Sequence, residues 1–323
     1  MKAKLTFLSV LLISFISHAQ TIEKFSIDSG GASAIAGGIE ILYTIGEVNV
    51  QELSAGNIQV SEGFINGAMK IKVDPKLFLQ GPLLNPVSAG LMNDDLRSGS
   101  YIPTTSPYAD AATCDASVFN VTGSNAIVDW VWIELRAAND NTKLVNGKSA
   151  LLQRDGDVVG VDGVSDVIMT AGPTNYYVVV KHRNHLGAMS ASTIALNETT
   201  ATSVDFTNSG FSTHGSHAQV VLGSGSTALW AGNTNADDRI RYQGSSNDPN
   251  YIKDFVLTHP GNPSGNNLYF YYDYDDADVD MDGRVRFQGS GNDSNLIKDI
   301  VLSHPENGSL NNLFFILTQV PNN

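Results

Sequence analysis

The last third of the chain is written twice. The run NTNADDRIRYQGSSNDPNYIKDFVLTHP begins at Asn233, and DVDMDGRVRFQGSGNDSNLIKDIVLSHP begins at Asp278, 45 residues later. Extended to Phe270 and Phe315, the copies are identical at 22 of 38 positions. A repeat of this length constrains the fold more than any other feature, because both copies must build the same local structure.

Each copy opens with oxygen-bearing side chains at alternate positions. In the second they are Asp278, Asp280 and Asp282, followed by Gly283; in the first, Asn233, Asn235 and Asp237, followed by Asp238. Such a loop curls around a hard cation with positions 1, 3 and 5 inward, a turn at position 6 and a backbone carbonyl at position 7. The carbonyls would belong to Arg239 and Arg284. Ile240 and Val285 fall at position 8, where the loop backbone pairs and the side chain enters the core. Position 12 should carry a carboxylate, but Gly244 and Gly289 stand there. Asp248 and Asp293 follow four residues later, so an extended loop closed by those aspartates is one reading. A helix N-cap is the other, since each precedes a helical pattern. The helices are expected near 249–258 and 294–303, with Ile252, Phe255 and Val256 on one face of the first and Ile297, Ile300 and Val301 on one face of the second. His259-Pro260 and His304-Pro305 end them, because a residue before proline is pushed out of the α region.

A loop followed by one helix, duplicated, resembles the dockerin family, over about 85 of the 323 residues. The resemblance implies two calcium ions, with ligand roles on Asp278, Asp280 and Asp282 and on Asn233, Asn235 and Asp237. It also implies that paired helices dock a partner protein, with Lys253, Lys298, Tyr251 and Leu296 as contact candidates. The plainer alternative is an Asx-rich turn, repeated, whose side chains cap their own backbone. Against that reading, Asp273, Asp275 and Asp276 add negative charge beside the second loop, a cluster that repels itself without a cation.

Residues 1–20 read as a secretion signal: Lys2 and Lys4, an apolar run from Leu5 to Ile16, then Ser17-His18-Ala19. The run is short for a membrane span, so an exported, soluble chain is expected. Net charge is −14, and more negative without Lys2 and Lys4. That balance suits cations and disfavours nucleic acid, which requires a positive surface. With Cys114 as the single cysteine, no disulfide forms within the chain.

Residues 21–72 form a small β leader. SGGASAIAGG reads as a flexible turn region, with strand candidates at Ile39–Ile45, Val48–Gln51 and Ile58–Val60. The glycine run is not a phosphate loop, because no helix pattern follows. Residues 73–210 carry strand patterns at Val128–Arg136, Tyr176–Arg183 and Val204–Phe206, with weaker ones at Ser117–Val121, Ala150–Gln153 and Ser192–Leu196. Asp155-Gly156 is a hairpin signal and Asp162-Gly163 a second turn. Turn-bounded apolar runs of this length argue for an antiparallel, Ig-like β-sandwich. Trp130 and Trp132 share one face of a central strand, as core or as a sugar-stacking platform. His182 and His185 at a strand end are either a hydrogen-bonded turn or two ligands of a metal site completed by Asp155 or Asp157. Cys114 has acidic neighbours, which raise a thiol pKa and disfavour a nucleophile. Residues 211–230 read as a Gly/Ser-rich linker or irregular edge, with His214 and His217 exposed, leading into the repeat at 231–323.

Through IDSGGAS, LYTIGEV and SEGF, and through LVNGKSALLQRDGDVV and YYVVVKHRNHLGAMSA, the chain also resembles secreted multidomain proteins of gliding, type IX-secreting bacteria. Some of those are labelled adhesins or haemagglutinins. That route usually ends in a β-type sorting domain, and LFFILTQVPNN does not resemble one. The expectation is a mainly β, secreted, non-catalytic calcium-binding protein acting in adhesion or assembly at or beyond the cell surface. Its partner would be an unidentified protein or glycan. The rivals are a carbohydrate-binding or polysaccharide-degrading protein and a structural surface-layer or filament component.

Overall fold

The structure is a computed structural model. It describes four N-terminal strands and residues 69–322. The fold is mainly β. The expected secretion signal and all but the last residue of the candidate Val48–Gln51 lie outside the described residues.

In the leader, β1 (Gly30–Ala36) pairs antiparallel with β2 (Ile39–Ile45), from Gly30 opposite Ile45 to Ala36 opposite Ile39. The glycine-rich run expected as a turn is therefore largely strand. Pairing supplies the backbone hydrogen bonds that its own composition does not favour. A second ribbon joins β3 (Gln51–Ala55) to β4 (Ile58–Glu62).

The second compact unit begins with β5 (Lys70–Lys76), whose side chains alternate in burial so that Ile71 and Val73 face a core. The boundary drawn at residue 72 thus falls inside a strand. After the one-turn helix α1 (Asp95–Ser98) comes the long hairpin of β6 (Ile127–Ala137) and β7 (Asp140–Gln153). Then follow β8 (Val158–Val159), β9 (Val167–Thr170), β10 (Asn175–His182), β11 (His185–Met189), β12 (Ile194–Ala195) and β13 (Thr202–Asp205). One sheet runs β11-β10-β6-β7-β8, with β12 also on β10; the other runs β13-β5-β9. β6 is central and buried nearly throughout, as an apolar run without alternation requires. Both sheets feed one apolar core, in which Ile71, Val167 and Val204 meet Trp130, Leu152 and Val178. The Asp155-Gly156 turn joins β7 to β8, with Gly156 at φ 94°. The pair β13–β5 is parallel, unlike the other pairs of these two sheets. Ser117–Val121 is not a strand: a 3-10 turn spans Ala116–Asn120 because Asp115 caps Ser117 N.

Residues 211–230, expected as a linker or irregular edge, instead carry the hairpin β14 (Gln219–Val221) and β15 (Thr227–Leu229). Ala228, Leu229 and Trp230 are buried, so the stretch is bound into the fold.

The duplicated tail interlocks. Copy one contributes β16 (Arg239–Arg241), α2 (Asp248–Thr258) and β17 (Phe270–Tyr272); copy two contributes β18 (Arg284–Arg286), α3 (Asp293–Ser303) and β19 (Phe315–Leu317). β16 pairs with β19, and β17 with β18. Each copy's opening strand is completed by the closing strand of the other. Ile240 opposite Ile316 is the counterpart of Val285 opposite Tyr271. Arg241 lies over Phe315 as Arg286 lies over Phe270. Strands this short are marginal alone, so the exchange makes the two copies one folding unit around Ile240, Ile252, Val285, Ile297 and Ile316. Phe255, expected on the buried face of α2, is exposed and lies against Tyr251; Ile252 and Val256 alone form that face. Among the described residues no helix is long and apolar enough to cross a membrane.

Candidate metal centre

The second loop is built by its own sequence. Asp278 Oδ1 accepts from Asp282 N at 3.2 Å, and Oδ2 from Gly283 N at 2.8 Å. These bonds curl the backbone, which turns through positive φ at Met281 (58°) and Gly283 (84°). The Met281 side chain enters the core shared by the two sheets, anchoring the loop from outside. Carboxylate oxygens of Asp278, Asp280 and Asp282 lie within 4.8 Å of one another. Asp278 is fully buried, and the other two are half-buried. Val285 is buried in the β17–β18 ladder, as position 8 requires.

Asp293 closes this loop. Its Oδ1 accepts from Val279 N and its Oδ2 from Arg286 N, both at 2.8 Å. The helix N-cap is Asn292, whose side chain accepts from Asn295 N, so the capping alternative for Asp293 gives way. Burial pushes Asp278 and Asp293 well above the ordinary carboxylate range, and facing carboxylates add to it: Asp293 acts on Asp278, and Asp280 on Asp293. Burial and then the Asp282 charge push Asp280 up to about 6. Three converging carboxylates, with Asp293 close enough to raise the pKa of Asp278, match the charge and donor chemistry of a hard cation. Among the described residues, Asp278, Asp280 and Asp282 form the one acidic or mixed cluster of three or more with metal-ligand geometry.

The first loop keeps the scaffold and loses the charge. Asp248 repeats Asp293, accepting from Thr234 N at 2.9 Å and Arg241 N at 2.7 Å. Asn247 is the N-cap in its place. Burial pushes Asp248 up to about 7. Asp237 N donates to Asn233 Oδ1 and Asn235 Oδ1, both at 3.2 Å, so the first two alternate side chains meet at the backbone of the third. Arg239 and Arg284, whose carbonyls hold position 7, open β16 and β18 and donate N–H to Asp237 and Asp282.

One hairpin turn holds both loops, a link that no local sequence pattern marks. His182, Arg183, Asn184 and His185 join β10 to β11 and are all buried. The Asn184 carbonyl accepts from Gly232 N and Asn233 N at 3.0 Å each, where the first loop starts. The Asn184 amide donates to Asp278 O at 2.7 Å, where the second starts. Gly81 N donates to His185 Nε2, which fixes the His185 proton on Nδ1, facing Asn184 Oδ1 and His182 Nδ1. His182 Nε2 then donates to Asp129 Oδ2. Both rings are neutral. Burial lowers each pKa; the neighbouring His182 and Arg183 lower His185 further, and for His182 burial outweighs the raising effect of Asp129. Asp129 also accepts from Arg183 Nε and Tyr274 OH, and Arg183 Nη1 reaches Asp276 at 3.1 Å. The partner expected for the histidines was Asp155 or Asp157, but Asp157 pairs with Lys76 and the acid present is Asp129.

The other sequence candidates separate. Trp130 is core, its indole bonded to Pro103 O, and offers no platform. Trp132 is half-buried and lines a cavity. Tyr251 and Leu296 are half-buried against the tail core, and Lys253 and Lys298 are half-buried as well. Burial raises the Cys114 thiol pKa, with Asp115 adding to it. His217 is exposed, while His214 is half-buried and bonded to Gln319 O.

No family model, curated protein or solved structure matches the chain.

Proposed function

We propose that the chain is a secreted, non-catalytic modular protein whose tail is assembled by calcium and which acts in adhesion or assembly at or beyond the cell surface. The observation that carries the reading is the convergence of Asp278, Asp280 and Asp282 within 4.8 Å, with Asp293 folded back onto the same loop. All-oxygen donors of high negative charge favour calcium over softer metals, and a flexible acidic loop favours it over magnesium. Bound calcium would offset two of the four negative charges and relieve their mutual repulsion, so binding energy becomes folding energy. Asp278, Asp280, Asp282, the Arg284 carbonyl and Asp293 would hold it. In the first loop Asn233, Asn235, Asp237, the Arg239 carbonyl and Asp248 would make a weaker site. The non-catalytic reading is supported by the histidines, whose four ring nitrogens are all engaged inside the fold. The dockerin-like description of the tail and the sandwich description of the sheets belong to this proposal, as does export.

The test is calcium titration by calorimetry on the full chain, with thermal unfolding in calcium and in chelator. Saturation at about a hundred times Kd should add about 2.7 kcal/mol of stability. Binding heat that disappears in Asp280→Asn is the expected result. No heat, and equal melting in calcium and chelator, would remove the cation from the reading and leave solvated Asx turns.

A further inference from the structure

A cavity of about 670 Å³ opens between the outer face of the large sheet and the first tail loop, within the range of small-ligand sites. One wall is Trp132. Its six-membered ring lies on the bare backbone of Gly147 across the β6–β7 pair: a Cβ there would come within 2.2 Å of the ring. The indole Nε1 donates to Glu134 Oε1 at 3.1 Å. Glu134 is itself buried and held by Arg136 and Lys181 at 2.8 and 2.7 Å. The ring is thus fixed from beneath and at its edge, with Tyr108 tilted beside it at 5.8 Å.

The polar lining has both signs. Lys181 spends one donor on Glu134 and is about one-third exposed (35%), leaving two. Arg183 is buried, and its Nη2 has no hydrogen-bond partner. Asp276 and, from the first loop, Asp238 supply acceptors on the same lining. An anionic ligand meets Asp238 and Asp276, and a cationic one meets Lys181 and Arg183. Hydroxyl groups donate and accept together and suit both. A rigid aromatic face beside such a lining fits the C–H face of a sugar ring.

We propose that this cavity binds a short neutral oligosaccharide, stacked on Trp132, with its hydroxyls shared among the donors Lys181 and Arg183 and the acceptors Asp238 and Asp276. The aromatic wall belongs to the sheet, whereas Asp238 and Asp276 come from the tail, so the measurement is made in calcium.

The experiment uses the full chain in calcium and a panel of neutral hexasaccharides: β-1,4-glucan, α-1,4-glucan, β-1,4-xylan and β-1,4-mannan, with hexagalacturonate as the acidic arm. Binding is read by calorimetry, and protection of Trp132 from N-bromosuccinimide oxidation is mapped by mass spectrometry. At least one neutral hexaose should bind, protect Trp132 but not Trp130, and lose about tenfold or more in affinity in Trp132→Ala, with Trp132→Phe retaining most of it. The protection readout needs no variant, so a misfolded Trp132→Ala leaves the test intact. The proposal is overturned if no neutral hexaose binds up to about 10 mM, a limit near −3 kcal/mol. Binding without protection of Trp132, or hexagalacturonate as the tighter ligand, overturns it equally.

Discussion

The two tail loops share a scaffold and differ in charge. Asp248 and Asp293 each tie the start of their loop to the strand after it through two backbone N–H groups. Asn247 and Asn292 cap the helices alike. Asn262 and Asn307 each donate to one carbonyl in the last helical turn, Val256 or Val301, and to one beyond the helix, Asn266 or Asn311. Yet positions 1, 3 and 5 hold three carboxylates in one loop and one in the other. The comparison separates what shapes such a loop from what a cation would be needed for. The Asn side chains reproduce the inward hydrogen bonds without the repulsion, so the first loop is internally satisfied where the second carries opposed charge.

The largest expected effect separates these roles directly. Asp248→Ala and Asp293→Ala each strand two N–H groups, costing about 1–3 kcal/mol apiece. Both variants should melt lower by similar amounts in chelator. Calcium affinity should fall about a hundredfold in Asp293→Ala and much less in Asp248→Ala, by calorimetry. Equal losses of affinity would mean that the loops are functionally alike and that the charge comparison misleads.

Asn184 touches both loops, the first through its carbonyl and the second through its side-chain amide. Asn184→Ala keeps the carbonyl that receives Gly232 N and Asn233 N but removes the amide that donates to Asp278 O and accepts from His185. A loss of about 2 kcal/mol is expected, with hydrogen exchange rising in the second loop more than in the first. Uniform exchange across both would show that the side chain is not the selective link.

pH should act on the clasp and the loops with opposite sign. His182 and His185 are held neutral, with pKa values depressed. Below about 6.5 the unfolded chain binds more protons than the native one, so stability falls by up to about 1.4 kcal/mol per pH unit per ring. Asp129 is buried, which alone raises its pKa, but Arg183 and the His182 hydrogen bond outweigh that and hold it low. Its contribution therefore persists to lower pH and is lost only as pH falls through its depressed pKa. In chelator the carboxylates Asp280, near 6, and Asp248, near 7, do the reverse. Raised above their unfolded values, they contribute least at high pH and recover as pH falls through those values. Region-resolved hydrogen exchange between pH 7.5 and 5 should show clasp protection falling while loop protection holds or rises.

The repeat, the loop positions and both helices were legible because they are local: alternating Asx residues, apolar spacing and the His-Pro stops all lie within one copy. The helices begin at Asp248 and Asp293, one residue before the expected starts. What was not legible is long-range. The three-residue strands carry no periodicity, so nothing local announces that β16 pairs with β19 rather than with β17. Asp129 and Tyr274 stand far apart in sequence, and only the sheet brings them to His182 and Arg183. His182 and His185, open in the sequence to a turn or a metal site, are buried and bonded to each other and to Asp129. Trp130 and Trp132 look equivalent in VDWVWIELR; packing alone buries the first and leaves the second against a cavity.

Position 6 carries the smallest expected effect, that of Asp238→Gly, and there the loops should prove unequally tolerant. Asp238 and Gly283 both take positive φ, 62° and 84°. Aspartate is among the residues that accept this region at modest cost. Asp238→Gly relieves that cost but adds unfolded-state entropy, and the two offset to within about 1 kcal/mol. The reverse change is not equivalent. A Cβ at Gly283 would meet the Tyr101 ring at 2.7 Å, and a carboxylate there would join Asp278, Asp280 and Asp282. Gly283→Ala isolates the steric part and should cost about 1–3 kcal/mol; Gly283→Asp should cost more in chelator than in calcium. Thermal melts of the three variants in both media give the comparison. If Asp238→Gly moves the melting point as far as Gly283→Ala does, backbone strain in the first loop is larger than its aspartate implies, and the two loops differ in shape as well as in charge.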